Sequence, residues 1–343
     1  MKLGRLLKFN ACFKSIASGI FSWYCLTLIL RGVRVRKKRR SVVQTFAIVL
    51  FPVILLGIGL FLCCHKNGFS MHKISSQLSY SDQWNGAVDY GQERELVDEV
   101  FEQPFYYLSS GQQCYAFISK DQKYVLKFFK MHKLIPKTWI QDFPSSLFRN
   151  ARFNDVQKKK YVLESTFAGI KVAFDYLKDQ SALIYIHLNK TKHLKKRVQV
   201  FDKLGVRFDI DLDSKEFIVD ATAELLYPRL LRLSELKDEE KIRQSVLSLF
   251  DLIATRCQRG FADQELVIWN NYGFIGDCAV LIDCGKLFAD SEIVYSHNYK
   301  REIVNVCEAI NDWAQKNCPM VSPILQKELQ CYILLVAESE NFK

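Results

Sequence analysis

The first 66 residues contain no aspartate and no glutamate. Twelve of the chain's 48 Lys and Arg lie there, and all 37 Asp and Glu lie beyond. The net charge of +11 therefore belongs to the N-terminal segment, and the rest of the chain is close to neutral. A nucleic-acid-binding domain keeps its positive charge on the folded part, so nucleic acid is not the expected partner. No C-x-x-C pair occurs among the eleven cysteines, and the six histidines show no ligand spacing. That argues against a zinc site. There is no G-x-S-x-G either, which removes the α/β-hydrolase type of nucleophile. Seven cysteines lie beyond the N-terminal segment, an odd number with mostly apolar neighbours. They read as free thiols serving as small apolar residues, which favours a reducing compartment.

The N-terminal segment is a membrane anchor, residues 1–64. Val42 to Leu62 is uncharged and apolar apart from Gln44 and Thr45. At about 1.5 Å per residue such a helix spans a hydrocarbon core of about 30 Å. RGVRVRKKRR, residues 31–40, precedes it with seven positive charges. Such a cluster is retained on the cytoplasmic side and attracts anionic lipid headgroups. A shorter apolar run, 16–30, makes the anchor either one span or a hairpin of two. Charge retention then places the following domain across the membrane from residues 31–40, whereas the free thiols ask for a reducing side. The two signals agree only if the far side is itself a cytosol, or if the charge rule fails here.

Residues 65–95 read as a polar linker, with Asn67-Gly68 and Asn85-Gly86 as turn signals. From Phe105 the pattern changes to FYYLSS, CYAFIS and KYVLKFFK, three aromatic and β-branched runs between short turns, which predict an antiparallel meander. Helical spacing of Leu163, Phe167, Ile170, Phe174 and Leu177 predicts a helix over 155–178. VQVF and a hairpin-like RFDIDLDSKEFIVDA come after it, then an amphipathic helix over 237–257. The strand pair YGFI and AVLID comes next, with helices over 299–338. Strands and helices are segregated, which predicts an α+β fold of two lobes: strand-rich over 96–228 and mostly helical over 229–343.

This order resembles the protein-kinase-like superfamily over residues 105–340. The resemblance implies that Lys127 of YVLK on the third strand grips nucleotide phosphates and that Glu164 on the next helix holds it, with Gly111 in the phosphate-covering loop. It further implies that Asp263 after the long helix is the catalytic base. By the same resemblance Asn271, with Asn270 as alternative, and Asp283 of LIDCG bind Mg²⁺, with Gly285 completing Asp-x-Gly. ATP and Mg²⁺ are the implied cofactors, and a protein or small-molecule phosphoacceptor the implied partner. Through GFAD, NNYGF and LIDCGK the chain is also similar to membrane-anchored kinase-like proteins of chlamydia-type bacteria.

The chain departs from the superfamily pattern in several places. Its glycine loop holds only Gly111, Phe261 stands where the family has His, and Glu265 where protein kinases have Lys. Asp263 and Asn271 are eight residues apart instead of the usual five, and 37 residues separate Lys127 from Glu164. Two readings stand side by side: an integral-membrane, ATP- and Mg²⁺-dependent phosphotransferase, and a catalytically inactive pseudokinase or membrane scaffold. Asn189-Lys190-Thr191 forms a single glycosylation sequon.

Overall fold

A computed structural model describes residues 50–55, 68–85, 90–135, 149–264 and 268–341. The chain divides into two compact units, Met1–Lys66 and Asn67–Lys343. In the first, residues 50–55 are helical, and Leu50, Phe51, Val53, Ile54 and Leu55 are exposed. The rest of the expected span 42–62, the run 16–30 and the basic cluster 31–40 lie outside the described residues. Among the described residues no helix is long and apolar enough to cross a membrane.

The second unit opens with a strap, residues 68–85, then α1 (Tyr90–Phe101). The meander comes next as β1 (Phe105–Ser110), β2 (Cys114–Ser119) and β3 (Tyr124–Phe129), with a short α2 (Met131–Leu134) and a long α3 (Arg149–Tyr176) behind it. After these stand β4 (Leu183–His187), β5 (Arg197–Phe201), β6 (Arg207–Asp211), β7 (Phe217–Ala221) and β8 (Glu224–Leu225). The remainder is α4 (Leu226–Glu235), α5 (Glu239–Gln258), β9 (Phe261–Asp263), α6 (Ile268–Asn271), β10 (Tyr272–Ile275), β11 (Cys278–Leu281), β12 (Leu287–Ala289), α7 (Ser296–Asn317) and α8 (Val321–Asn341).

Seven strands form one sheet in the order β4-β7-β3-β2-β1-β5-β6, antiparallel except where β1 meets β5. The period of two along β3 sets its two faces. Leu126 and Phe128 pack into one core with Phe117, Phe217 and Val219. Phe129 faces the other core, shared with Phe167 and Ile170 of α3 and with the later helices. The result is an α+β fold whose seven-stranded sheet is drawn from residues 105–221, with the long helix α3 inserted between β3 and β4 and four short strands, β9 to β12, among the later helices.

Two expectations are corrected, and two elements carry no clear sequence signal. RFDIDLDSKEFIVDA is not a hairpin: β6 pairs with β5, whereas β7 inserts between β3 and β4. The strand LIYIH and the helix α4 carry apolar residues too, yet neither stood out as a periodic run. The stretch 68–85 is not a free linker. Phe69 packs edge-on against Tyr115, Phe117 and Phe208, and Ile74 is fully buried. Hydrogen bonds hold the rest of the strap. The Asn189 amide accepts from Ser81 N at 3.1 Å and donates to Ser81 O at 2.8 Å, and Ser76 Oγ donates to Glu216 Oε1 at 2.5 Å. Asn189 is thus buried and engaged, which rules its amide out as a glycan acceptor in the folded chain.

Candidate functional site

Lys127 lies mid-strand in β3, opposite Ala116 of β2 and Ile218 of β7. Residues two apart on a neighbouring strand share a face and come within reach of a long side chain. Asp220 stands two residues beyond Ile218, and its Oδ2 meets Lys127 Nζ at 2.5 Å with both side chains largely buried. Lys127 Nζ also donates to the Ile282 carbonyl at 2.9 Å. Ile282 directly succeeds β11, and its N–H donates to the Asn271 carbonyl at 2.8 Å. One lysine thus ties the middle of the sheet to the β10–β11 hairpin.

Asp283 is the next residue and is exposed. Its Oδ1 accepts from the Gly285 N–H at 3.2 Å, closing a tight turn. Burial alone lowers the Lys127 pKa, but Asp220 and then Asp283 outweigh it and hold the ammonium above its usual range. Asp220 is pushed up by its burial, and the nearby Asp283 charge adds to this against the pull of Lys127. Two carboxylates share one ammonium here. The same surroundings push the Cys114 thiol up to about 12, through burial first and Asp283 second. Burial likewise drives Cys284 well above the usual thiol range. Neither is a thiolate nucleophile.

Glu164 does not hold Lys127. It is exposed on α3 and lies 3.8 Å from Lys160. The reason is helical phase. Thr166 and Gly169 face the Asp283–Leu287 turn: a methyl on Gly169 would sit 2.5 Å from the Cys284 carbonyl, and a Cβ on Gly285 3.2 Å from Thr166 Cγ2. Two residues before Thr166 is about 200° around the helix, so Glu164 points elsewhere. Sequence reasoning missed Asp220. The available signal was its position in FIVDA, an acidic residue ending an apolar strand.

Asp263 ends β9, where it pairs with Leu287 of β12. Its side chain is 1% exposed, 4.0 Å from the fully buried Arg256 guanidinium. Arg256 also meets Glu302 and the Tyr272 hydroxyl. Burial works against this guanidinium, but Tyr272, Cys257 and Asp263 hold it charged. Asp263 belongs to a compensated buried charge cluster, the arrangement buried ions need. Asn271 is buried at the end of α6, beside Ile282, one residue from Asp283. Asn270 next to it is exposed.

Gly111 opens the three-residue loop between β1 and β2, and its N–H donates to the Cys114 carbonyl at 3.1 Å. A Cβ there would meet only that carbonyl, at 3.9 Å, so nothing in the loop requires glycine. Lys130 pins the loop by donating to Ser110 Oγ at 2.6 Å and to the Gly111 carbonyl. Thr166 holds Gln113 Oε1 at 3.0 Å.

A nucleotide with Mg²⁺ needs an open phosphate loop, a reachable base and clustered oxygen ligands. The loop is tied down by Lys130 and Thr166, and the carboxylate of Asp263 is enclosed. Among the described residues no three His, Cys, Asp or Glu side chains gather as a metal site. The residues do not fit Mg²⁺-nucleotide as they are arranged.

The element order is that of an α+β fold, with Lys127 and Asp263 on two different strands and Asp283 just after a third. Lys127 on the third strand is followed by α2 and α3, five further strands and α4, then by the long helix α5 leading to Asp263 and by a strand pair leading to Asp283-Cys284-Gly285. No protein-family model and no curated protein matches the chain. Among solved structures, it is similar to the 2.2 Å crystal structure of WbdD, with 17% identity, a TM-score of 0.34, and 67% of this chain and 47% of that chain covered. A second structure, described as the bifunctional kinase-methyltransferase WbdD, shares 15% identity with a TM-score of 0.29, over 77% of this chain and 49% of that one. The complex of Rv3197 with erythromycin from Mycobacterium tuberculosis shares 13% identity with a TM-score of 0.29, over 70% and 61%. The chain thus spans about half the length of the first structures it matches.

Proposed function

We propose that the chain is a membrane-anchored, kinase-like protein that works as a non-catalytic binding scaffold, a pseudokinase, and not as a phosphotransferase. The observation that carries this reading is the enclosure of Asp263. A general base must come within hydrogen-bond reach of the proton it abstracts, and a carboxylate 1% exposed beside Arg256 is held as a structural anion. The tied-down β1–β2 loop supports the same reading, since Lys130 holds Ser110 and the Gly111 carbonyl where an open phosphate loop is needed. In this proposal residues 42–62 span the membrane, with or without 16–30. Residues 31–40 lie against anionic headgroups, and the domain from residue 67 presents its surface to a protein partner.

The alternative is an ATP- and Mg²⁺-dependent phosphotransferase with Asn271 and Asp283 as metal ligands. The exposure of Asp283 at the end of β11, beside Asn271, favours it. The test is equilibrium binding of a fluorescent ATP analogue to the full chain in lipid nanodiscs, with and without Mg²⁺, together with phosphate release. The scaffold reading expects neither Mg²⁺-dependent binding nor turnover. Mg²⁺-dependent binding that Asp283→Asn abolishes would overturn it.

A further inference from the structure

Four basic side chains gather where the strap, α2 and the β1–β2 loop meet: Lys73, Lys130, His132 and Lys133. Lys73 Nζ donates to the Gly68 carbonyl at 2.7 Å, and His132 Nδ1 lies 3.2 Å from the Lys73 carbonyl. Lys130 stands over the Tyr115 ring, 4.6 Å from its centre, and Lys133 Nζ donates to the Gln112 carbonyl at 3.3 Å. Among the described residues no carboxylate pairs with Lys130, His132 or Lys133. Their charges press on one another instead. Lys73 is lowered by burial and then by Lys133, and Lys130 by burial, then by Lys133 and Lys73. Burial also lowers His132, and all three lysine charges add to this against its bond to the Lys73 carbonyl. An anion placed among them favours every one of these charged forms.

The position of the cluster says which anion. The Gly68 carbonyl, which accepts from Lys73, accepts also from the Tyr115 hydroxyl at 3.2 Å, so the start of the strap is fixed to this corner. In the reading proposed above the span ends at Leu62, six residues before Gly68. Six residues reach about 20 Å at full extension. The tether therefore keeps the corner within that distance of a bilayer surface, with Gln112 and Lys133 exposed on it.

We propose that the corner formed by Lys73, Lys130, His132 and Lys133 docks on anionic lipid headgroups, whose oxygens supply the counter-charge that the fold leaves out. This surface is distinct from residues 31–40. It rests on the proposed span over 42–62 and not on the enclosure of Asp263.

The test is the rate at which acetic anhydride acetylates Lys133, read by mass spectrometry. The full chain is held in nanodiscs of phosphatidylcholine alone or with phosphatidylserine. Lys120 is the control. It is exposed and follows the far end of β2, about 20 Å along the strand from the cluster. That is beyond the distance of about 8 Å over which exposed charges feel one another in physiological salt. Phosphatidylserine is expected to slow Lys133 about five-fold, equivalent to about 1 kcal/mol for one cation at an anionic surface. Lys120 should keep its rate, and the slowing of Lys133 should fade in high salt. The inference is overturned if Lys133 is unchanged, if Lys120 slows equally, or if the slowing survives high salt. It is also overturned if inorganic phosphate with phosphatidylcholine nanodiscs slows Lys133 as much, since the corner would then take a free anion. Lys37 and Lys38 report on the anchor in the same samples. Slowing of these two with Lys133 unchanged overturns this inference alone, whereas release of the chain by alkaline carbonate overturns the span and this inference with it.

Discussion

Replacing Asp220 by asparagine and Glu164 by glutamine separates the carboxylate that holds Lys127 from the one the superfamily pattern nominates. Lys127 and Asp220 meet at 2.5 Å with side chains 16% and 3% exposed. Removing one partner of a buried ion pair costs about 3–5 kcal/mol, because the other charge stays behind unpaired. Here Lys127 keeps the Ile282 carbonyl at 2.9 Å and the nearby Asp283 charge. The loss in Asp220→Asn should therefore fall at the low end, about 3 kcal/mol. Glu164 and Lys160 stand 3.8 Å apart and are half-exposed or more. A pair of that kind contributes about 0–0.5 kcal/mol, further reduced by salt. Urea titration followed by tryptophan fluorescence reads both variants against the parent protein. A small loss in Asp220→Asn, below about 1 kcal/mol, or an equal loss in the two variants would refute the assignment.

Four further outcomes are expected. Gly169→Ala should destabilise the domain by about 1–2 kcal/mol in the same titration: forcing a methyl against the Cys284 carbonyl costs about 1–3 kcal/mol, and the better helix propensity of alanine returns only part of it. Lys130, lowered by burial and by Lys133, should titrate at about 8 in a lysine NMR experiment. Between about 8 and 10.5 the unfolded chain binds this proton and the folded one does not, so domain stability should rise with pH across that window, and the rise should vanish in Lys130→Gln. Asp263→Asn should lower the melting temperature, because it leaves the Arg256 guanidinium undercompensated, and should leave any partner binding intact; an unchanged melting temperature would contradict the buried cluster. Alkaline carbonate extraction of membranes should leave the full chain in the pellet, and complete release would refute the proposed span over 42–62.

The meander was legible in the sequence because FYYLSS, CYAFIS and YVLKFF each satisfy strand propensity locally, with short turns between them. The helices α3, α5 and α7 were legible because each buries one stripe at a 3.6-residue period. The strand LIYIH of β4 was not, since a five-residue apolar run carries no period that separates strand from helix. Likewise RFDIDLDSKEFIVDA reads as two adjacent strands, and nothing local says that they part company and pair with β5 on one side and with β3 and β4 on the other. The strap looked like a linker because its composition is polar, yet a few residues, Phe69, Ile74, Ser76 and Trp84, are enough to tie it down.

For the site, the sequence by itself determined which residue types stand on which elements: Lys127 on the third strand, Asp263 after the long helix, Asp283 after the strand pair. It could not determine which of them meet. Glu164 and Asp220 are both acidic residues downstream of Lys127, and the choice between them depends on the phase of α3 about its axis and on the register of β7 beside β3. Gly169, pressed against the Cys284 carbonyl, fixes the first; the pairing of Lys127 with Ile218 fixes the second. Whether Asp263 faces solvent or Arg256 is likewise decided by how β9 lies against β12 and α5. These are relations between segments far apart in the chain, and only tertiary packing brings them within the few ångströms over which charges and hydrogen bonds act.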